Sequence, residues 1–242
     1  MKRNFPSLRV FPLMVLLTCL SLVFLGTGCE GLDTKLSDEE IVEGLKKALE
    51  VGTDKSVVAT NVLDGFNGNS LIRIPHPPEA DNVINVVSGV SLLGQPIGQN
   101  AVDGFVLKLN RAAEDATDEA KPIILSAITS MTIVDGLNIL KGADDAATQF
   151  LRTSTYADLK VAFRPDIEQS LNTVGAQTAY GEIVTIYNTI SSNPANPDLA
   201  DYTTGKALDG LFTLIAQEEL NIRQNPSARI SDILIKVFGS LD

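Results

Sequence analysis

The chain has 242 residues, a formal net charge of −11, one histidine, two cysteines and no tryptophan. Such a balance argues against nucleic-acid binding, because an acidic field repels phosphate backbones. One histidine and two cysteines also leave too few soft ligands for a zinc site.

The first 28 residues read as a secretory signal. Lys2, Arg3 and Arg9 give a positive start, Phe11 to Phe24 form an apolar run, and Gly26, Thr27 and Gly28 precede Cys29. The run is too short to span a bilayer comfortably as a helix. Leu25-Gly26-Thr27-Gly28-Cys29 resembles a bacterial lipobox, with the leucine four places before the cysteine rather than the usual three. Cys29 is therefore expected to be acylated and to become the new N-terminus. Several acyl chains on one residue give stable anchoring. Cys19, the other thiol, lies inside the apolar run. Removing residues 1–28 takes three basic residues and no acidic one, which leaves 214 residues with 16 basic and 30 acidic side chains, a net charge of −14. Attachment to a membrane must then come from lipid on Cys29 and not from a basic patch. Residues 29–36 form a short tether. Glu30 to Lys35 reach at most about 20 Å when extended.

Helical periodicity runs through almost all of residues 37–242, which predicts a single all-α domain, a compact multi-helix bundle of roughly nine to eleven helices. Ser37 and Glu40 make a capping box, Leu36 and Ile41 a hydrophobic staple, and Ile41, Leu45, Ala48 and Leu49 an apolar face ended by Gly52. A second helix is expected over Asp54 to Leu63. One irregular loop near residues 64–78 follows, where Gly65, Gly68, Pro75, Pro77 and Pro78 forbid a long helix. Further helices are predicted from Pro78 to Leu93, Asn100 to Thr117 and Lys121 to Ser130. A short one ends at Leu140, with Thr132 and Asp135 as its capping pair. Another starts at Asp144 and breaks at Pro165. The last three cover Ala176 to Ser191, Tyr202 to Gln224 and Ser227 to Phe238. Asp-Gly recurs at residues 64–65, 103–104, 135–136 and 209–210. Three of these pairs lie in helical patterns, so glycine is expected there to let helices approach closely.

Catalytic equipment is sparse. His76 sits in a proline-rich loop, and no phosphate loop, nucleophile elbow or HExxH pattern occurs. No cofactor and no metal is expected, and no catalytic residue is assigned. Glu219 is the notable carboxylate. At 100° per residue it falls within the apolar arc of about 100° formed by Leu208, Leu211, Phe212, Ile215 and Ile222. A carboxylate there is either paired structurally, with Arg223 four residues on or with an arginine of a neighbouring helix, or lines a cavity with a raised pKa. Glu219, Arg223, Arg111 and Arg73 are the candidate buried polar residues.

Several stretches together resemble the bacterial lipoprotein family of domain of unknown function 4197. They are Asp64-Gly65-Phe66 with Asn69 and Ile72-Arg73-Ile74-Pro75; Asn110-Arg111-Ala112-Ala113-Glu114; Met131-Thr132 with Asp135-Gly136; and Lys206-Ala207-Leu208-Asp209-Gly210-Leu211-Phe212 running on to Glu218-Glu219 and Ile222-Arg223. The resemblance implies an all-helical, exported and often lipidated protein, and carries no activity. The expected function is a non-enzymatic helical binding or structural module of the cell envelope. It would be anchored to the outer membrane on the periplasmic side, or else to the inner membrane, and would bind an unknown protein or small molecule. The alternative is a carboxylate-dependent hydrolase or lyase acting on envelope material.

Overall fold

The computed structural model describes residues 35–89, 91–134, 136–181, 188, 194 and 198–242. Leu36–Asp242 form one compact unit. Cys29 and the signal lie outside the described residues. Among the described residues there are eight α-helices and no strand; one isolated bridge joins Leu92 and Gln95. The helices are α1 Asp38–Thr60, α2 Asp81–Ser88, α3 Ile97–Ser130, α4 Gly136–Leu140, α5 Ala146–Thr173, α6 (described over residues 176–181), α7 Leu199–Gln224 and α8 Asp232–Phe238.

All-α architecture is as expected, but the helices are fewer and longer than nine to eleven. Each merger has a local reason. The capping box at the start of α1 is present: Ser37 Oγ accepts from Glu40 N at 3.2 Å, and Glu40 Oε2 accepts from Ser37 N at 3.1 Å. Gly52 does not stop this helix. A Cβ there would lie 3.1 Å from Ile215 Cγ2 and 3.3 Å from Ile215 O, so the glycine marks where α1 crosses α7. The expected breaks near residue 120 and at Pro165 are absent for a second reason. Pro122 and Pro165 both lie on exposed faces, where water can satisfy the carbonyl that each proline leaves unbonded. The expected helix to Leu93 is shorter than predicted: it ends at Ser88, and Leu93 and Gly94, with φ of 51° and 78°, turn the chain farther on. Most of the expected helix over Ala176 to Ser191 lies outside the described residues, as does Asp135.

Four long helices make the frame. Each packs mainly on two others, in the closed order α1, α3, α5, α7 and back to α1. The peripheral pieces cover this ring: α2 lies on α3, and α4 and α8 lie on α1. The core inside the ring is aliphatic, with Leu45, Leu49, Leu109, Ile128, Leu151, Ile215 and Ile222 fully buried. Buried hydroxyls within helices are satisfied by the carbonyl four residues back, as for Thr53, Ser56, Thr117 and Thr204. No described helix is long and apolar enough to cross a membrane.

The loop at residues 61–77 is irregular, as expected, yet tightly held. It leaves α1 after Asn61 and enters α2 through a 3-10 turn at Pro78–Ala80.

Candidate functional site

Two buried polar clusters organise the ring, one at the start of α5 and one under the loop. The first is built on α7. Glu219 is fully buried and accepts five hydrogen bonds. Its Oε1 takes Ala147 N at 3.0 Å and two nitrogens of Arg223, Nε at 2.9 Å and Nη2 at 2.8 Å. Its Oε2 takes Thr148 N and Thr148 Oγ1, each at 2.7 Å. The first N–H groups of a helix have no partner within that helix, and they attract negative charge. Asp145, the residue before α5, makes no side-chain cap. Glu219 supplies that cap from another helix.

Arg223 continues the network. It is buried, gives Nη1 to Leu140 O at 2.6 Å and Nη2 to Ile139 O at 3.1 Å, and lies 5.5 Å from the ring centroid of Phe238. It therefore closes the carbonyl end of α4 while neutralising the carboxylate that opens α5. Both ends of the α4–α5 connection are fastened to one turn of α7. Arg229, which the sequence left out of the candidates, extends this set. It donates to the carbonyls of Ile222 and Arg223 at the end of α7 and grips Asp242 with both terminal nitrogens. That hydrogen bonding holds the Asp242 carboxyl below the ordinary aspartate range.

The second cluster lies between the loop and α3. Glu114 is buried, and its Oε1 accepts Phe66 N at 3.0 Å and Asn67 N at 3.1 Å, while Arg111 Nη1 bonds its other oxygen. Arg111 Nη2 reaches Asp64 Oδ1 at 2.9 Å, and Asn67 Nδ2 meets the same oxygen at 2.9 Å. These bonds, that of Asn67 first and then that of Arg111, hold the Asp64 carboxyl below its usual range. Asp64 has φ of 65°, a backbone conformation that aspartate tolerates better than most residues. Asn110 makes the third clamp. Its amide exchanges hydrogen bonds with Ile74 N and Ile74 O, both at 2.8 Å, as a strand neighbour would.

The candidate residues thus divide. Glu219 and Arg223 meet in the first cluster. Arg111 is half-buried in the second. Arg73 is not buried: its side chain is exposed and bonds Asn67 Oδ1 through Nε at 3.3 Å. Its flanking neighbours Ile72 and Ile74 face the core, so the alternation of an extended segment turns Arg73 outward. The sequence missed Asn110 and Glu114, which lie on the buried face of α3. Their signal was polar residues in an otherwise apolar stripe, the same signal that singled out Glu219. Lone His76 is half-buried, with Nδ1 3.3 Å from Asp81 Oδ1.

The repeated Asp-Gly pairs also divide. A Cβ on Gly210 would sit 2.8 Å from the Phe66 ring and 3.2 Å from Ile72 Cβ, and one on Gly136 would sit 3.0 Å from Ile41 Cγ2. Gly104 meets nothing within 4 Å. Close approach therefore explains two of the three helical pairs, and at Gly210 the neighbour is the clamped loop rather than a helix.

Between α5 and α7 runs a polar seam. Arg152 and the Tyr156 hydroxyl both bond Asp209 Oδ1, and Lys160 pairs with Asp201 at 2.9 Å. Burial, together with the charge of Asp209, pushes the Tyr156 hydroxyl up to about 12. Among the described residues no three His, Cys, Asp or Glu side chains gather as a metal site would require.

No curated protein and no solved structure matches the chain. A family model does, over residues 35–239, and it spans the ring and both clusters. The chain belongs to that family, described as a protein of unknown function (DUF4197).

Proposed function

We propose that this chain is a lipid-anchored envelope protein, held through Cys29 to the outer membrane and facing the periplasm, whose helical body works as a binding or structural module and not as an enzyme. One observation carries the non-enzymatic part. The two carboxylates buried among the described residues, Glu114 and Glu219, are spent on main-chain N–H groups and on arginines of their own chain. A general acid or base needs a proton position open to substrate, and five donors around Glu219 leave none. The lipobox-like stretch Leu25 to Cys29 supports the anchor.

In-cell crosslinking of the lipidated protein, with mass-spectrometric identification of neighbours, tests the module. A reproducible envelope partner is expected, and repeated failure to capture one would count against it. The Cys29→Ser chain tests the anchor. It is expected to appear in the soluble periplasm or to stall in processing; membrane fractionation as for wild type would refute the tether.

A further inference from the structure

A small notch of about 170 Å³ lies between the extended segment Leu71–Pro75 and the first half of α7. Arg73 and Lys206 both line it, with Asp209 and Thr213. Most other described lysines and arginines pair with a carboxylate, including Arg111, Arg152, Arg164 and Lys160. Among the described residues Arg73 bonds only the amide oxygen of Asn67, through Nε, which orients the guanidinium and leaves both terminal nitrogens available there. Lys206 lies 6.0 Å from the Tyr202 ring centroid and forms no ion pair among the described residues. Asp209 already forms an ion pair with Arg152, so its charge is balanced outside the Arg73–Lys206 pair and the two cations keep their net positive charge over the notch.

The notch is also prepared in advance. Asn110 and Glu114 clamp the loop from below. The Tyr202 hydroxyl donates to Pro75 O at 3.0 Å and to His76 O at 3.1 Å, so the residue beside Lys206 fastens the end of the segment that carries Arg73. A loop fixed this firmly on a helical frame presents its side chains without a further cost of ordering its backbone. Two cations that form no ion pair among the described residues, in one polar notch on a chain of net charge −11, form a local reversal of the field.

We propose that this notch binds a phosphate-type oxyanion. Arg73 supplies a planar two-donor fork and Lys206 a second positive charge, which together match a dianion. The site deepens the binding-module reading and rests on it, but not on the lipid anchor. The anion's source is either a free phosphate or the headgroup of a lipid.

The test uses the detergent-extracted full-length protein. Inorganic phosphate is titrated and followed by ³¹P NMR, and water-soluble dihexanoyl phosphatidic acid by calorimetry. Saturable binding of one or both is expected. The double variant Arg73→Gln/Lys206→Gln should weaken it about tenfold or more, as loss of charge-assisted hydrogen bonds predicts. Lys108→Gln/Lys141→Gln, which removes two charges outside the notch, should leave it within about twofold. Tighter binding of the lipid analogue would assign the headgroup as source, and equal or weaker binding the free anion. No saturable binding of either probe, or an equal loss in both double variants, overturns the proposal. Failure here with partner crosslinks intact removes the site alone. Loss of crosslinks with phosphate binding intact removes the protein-partner reading and leaves the site.

Discussion

Glu219 on α7 caps α5 in place of a local residue: its Oε2 accepts both the main-chain N–H and the hydroxyl of Thr148 at 2.7 Å. Its other oxygen faces Arg223, so a single carboxylate ties two helices and one cation together.

Glu219→Gln should therefore destabilise the fold strongly. The amide keeps one acceptor but leaves Arg223 buried without its counter-charge, a change that costs about 3–5 kcal/mol. Urea unfolding followed by circular dichroism measures it. Glu219→Gln/Arg223→Met should recover part of the loss, since removing both charges of a buried pair costs less than removing one. An unchanged midpoint in the single variant would contradict the buried cap.

Asn110→Ala removes the clamp on Ile74. Two buried main-chain groups lose their partner, at about 1–3 kcal/mol each. The expected outcome is a loss of at least about 2 kcal/mol and faster hydrogen exchange at the Ile74 amide. Amides within α5 should exchange more quickly only to the extent that global stability falls.

Gly210→Ala and Gly104→Ala should move stability in opposite directions. The first drives a methyl group against Phe66 and Ile72 and should cost about 1–3 kcal/mol. The second finds open space within a helix and should gain up to about 1 kcal/mol from helix propensity. Thermal melts of the two variants decide this, and equal effects would contradict the close approach at Gly210.

Asp198 makes acid stability measurable at one residue. Burial pushes its carboxyl upward, but the Arg164 guanidinium at 2.8 Å and the Asp201 N–H at 2.9 Å outweigh that and hold it below the free value of 3.8. A carboxylate lowered on folding stabilises the protein above its unfolded value. That contribution fades as pH falls below 3.8 and through the folded value. Asp198→Asn preserves a good helix N-cap while removing the titration. Its stability should fall less steeply than wild type over that acid range, as urea midpoints at successive pH values would show.

The sequence by itself determined the helical class, the capping box at Ser37 and Glu40, the irregular loop and the oddity of Glu219. Each is a local signal, carried by periodicity, by a pair of residues three apart, or by one acid in an apolar arc. Helix number was not local. Gly52, the stretch between Thr117 and Lys121, and Pro165 look like breaks along the chain, and only tertiary packing decides otherwise: α7 needs the space at Gly52, and Pro122 and Pro165 face solvent. The partners of the buried acids were equally hidden. Glu219 meets Thr148 across 71 positions, and Glu114 meets Phe66 across 48, distances over which sequence spacing holds no geometry. Arg73 shows the same limit from the other side. Whether that cation turns toward the core or toward the notch beside Lys206 depends on a loop held by Asn110 and Tyr202, and those clamps exist only once the ring of helices has closed.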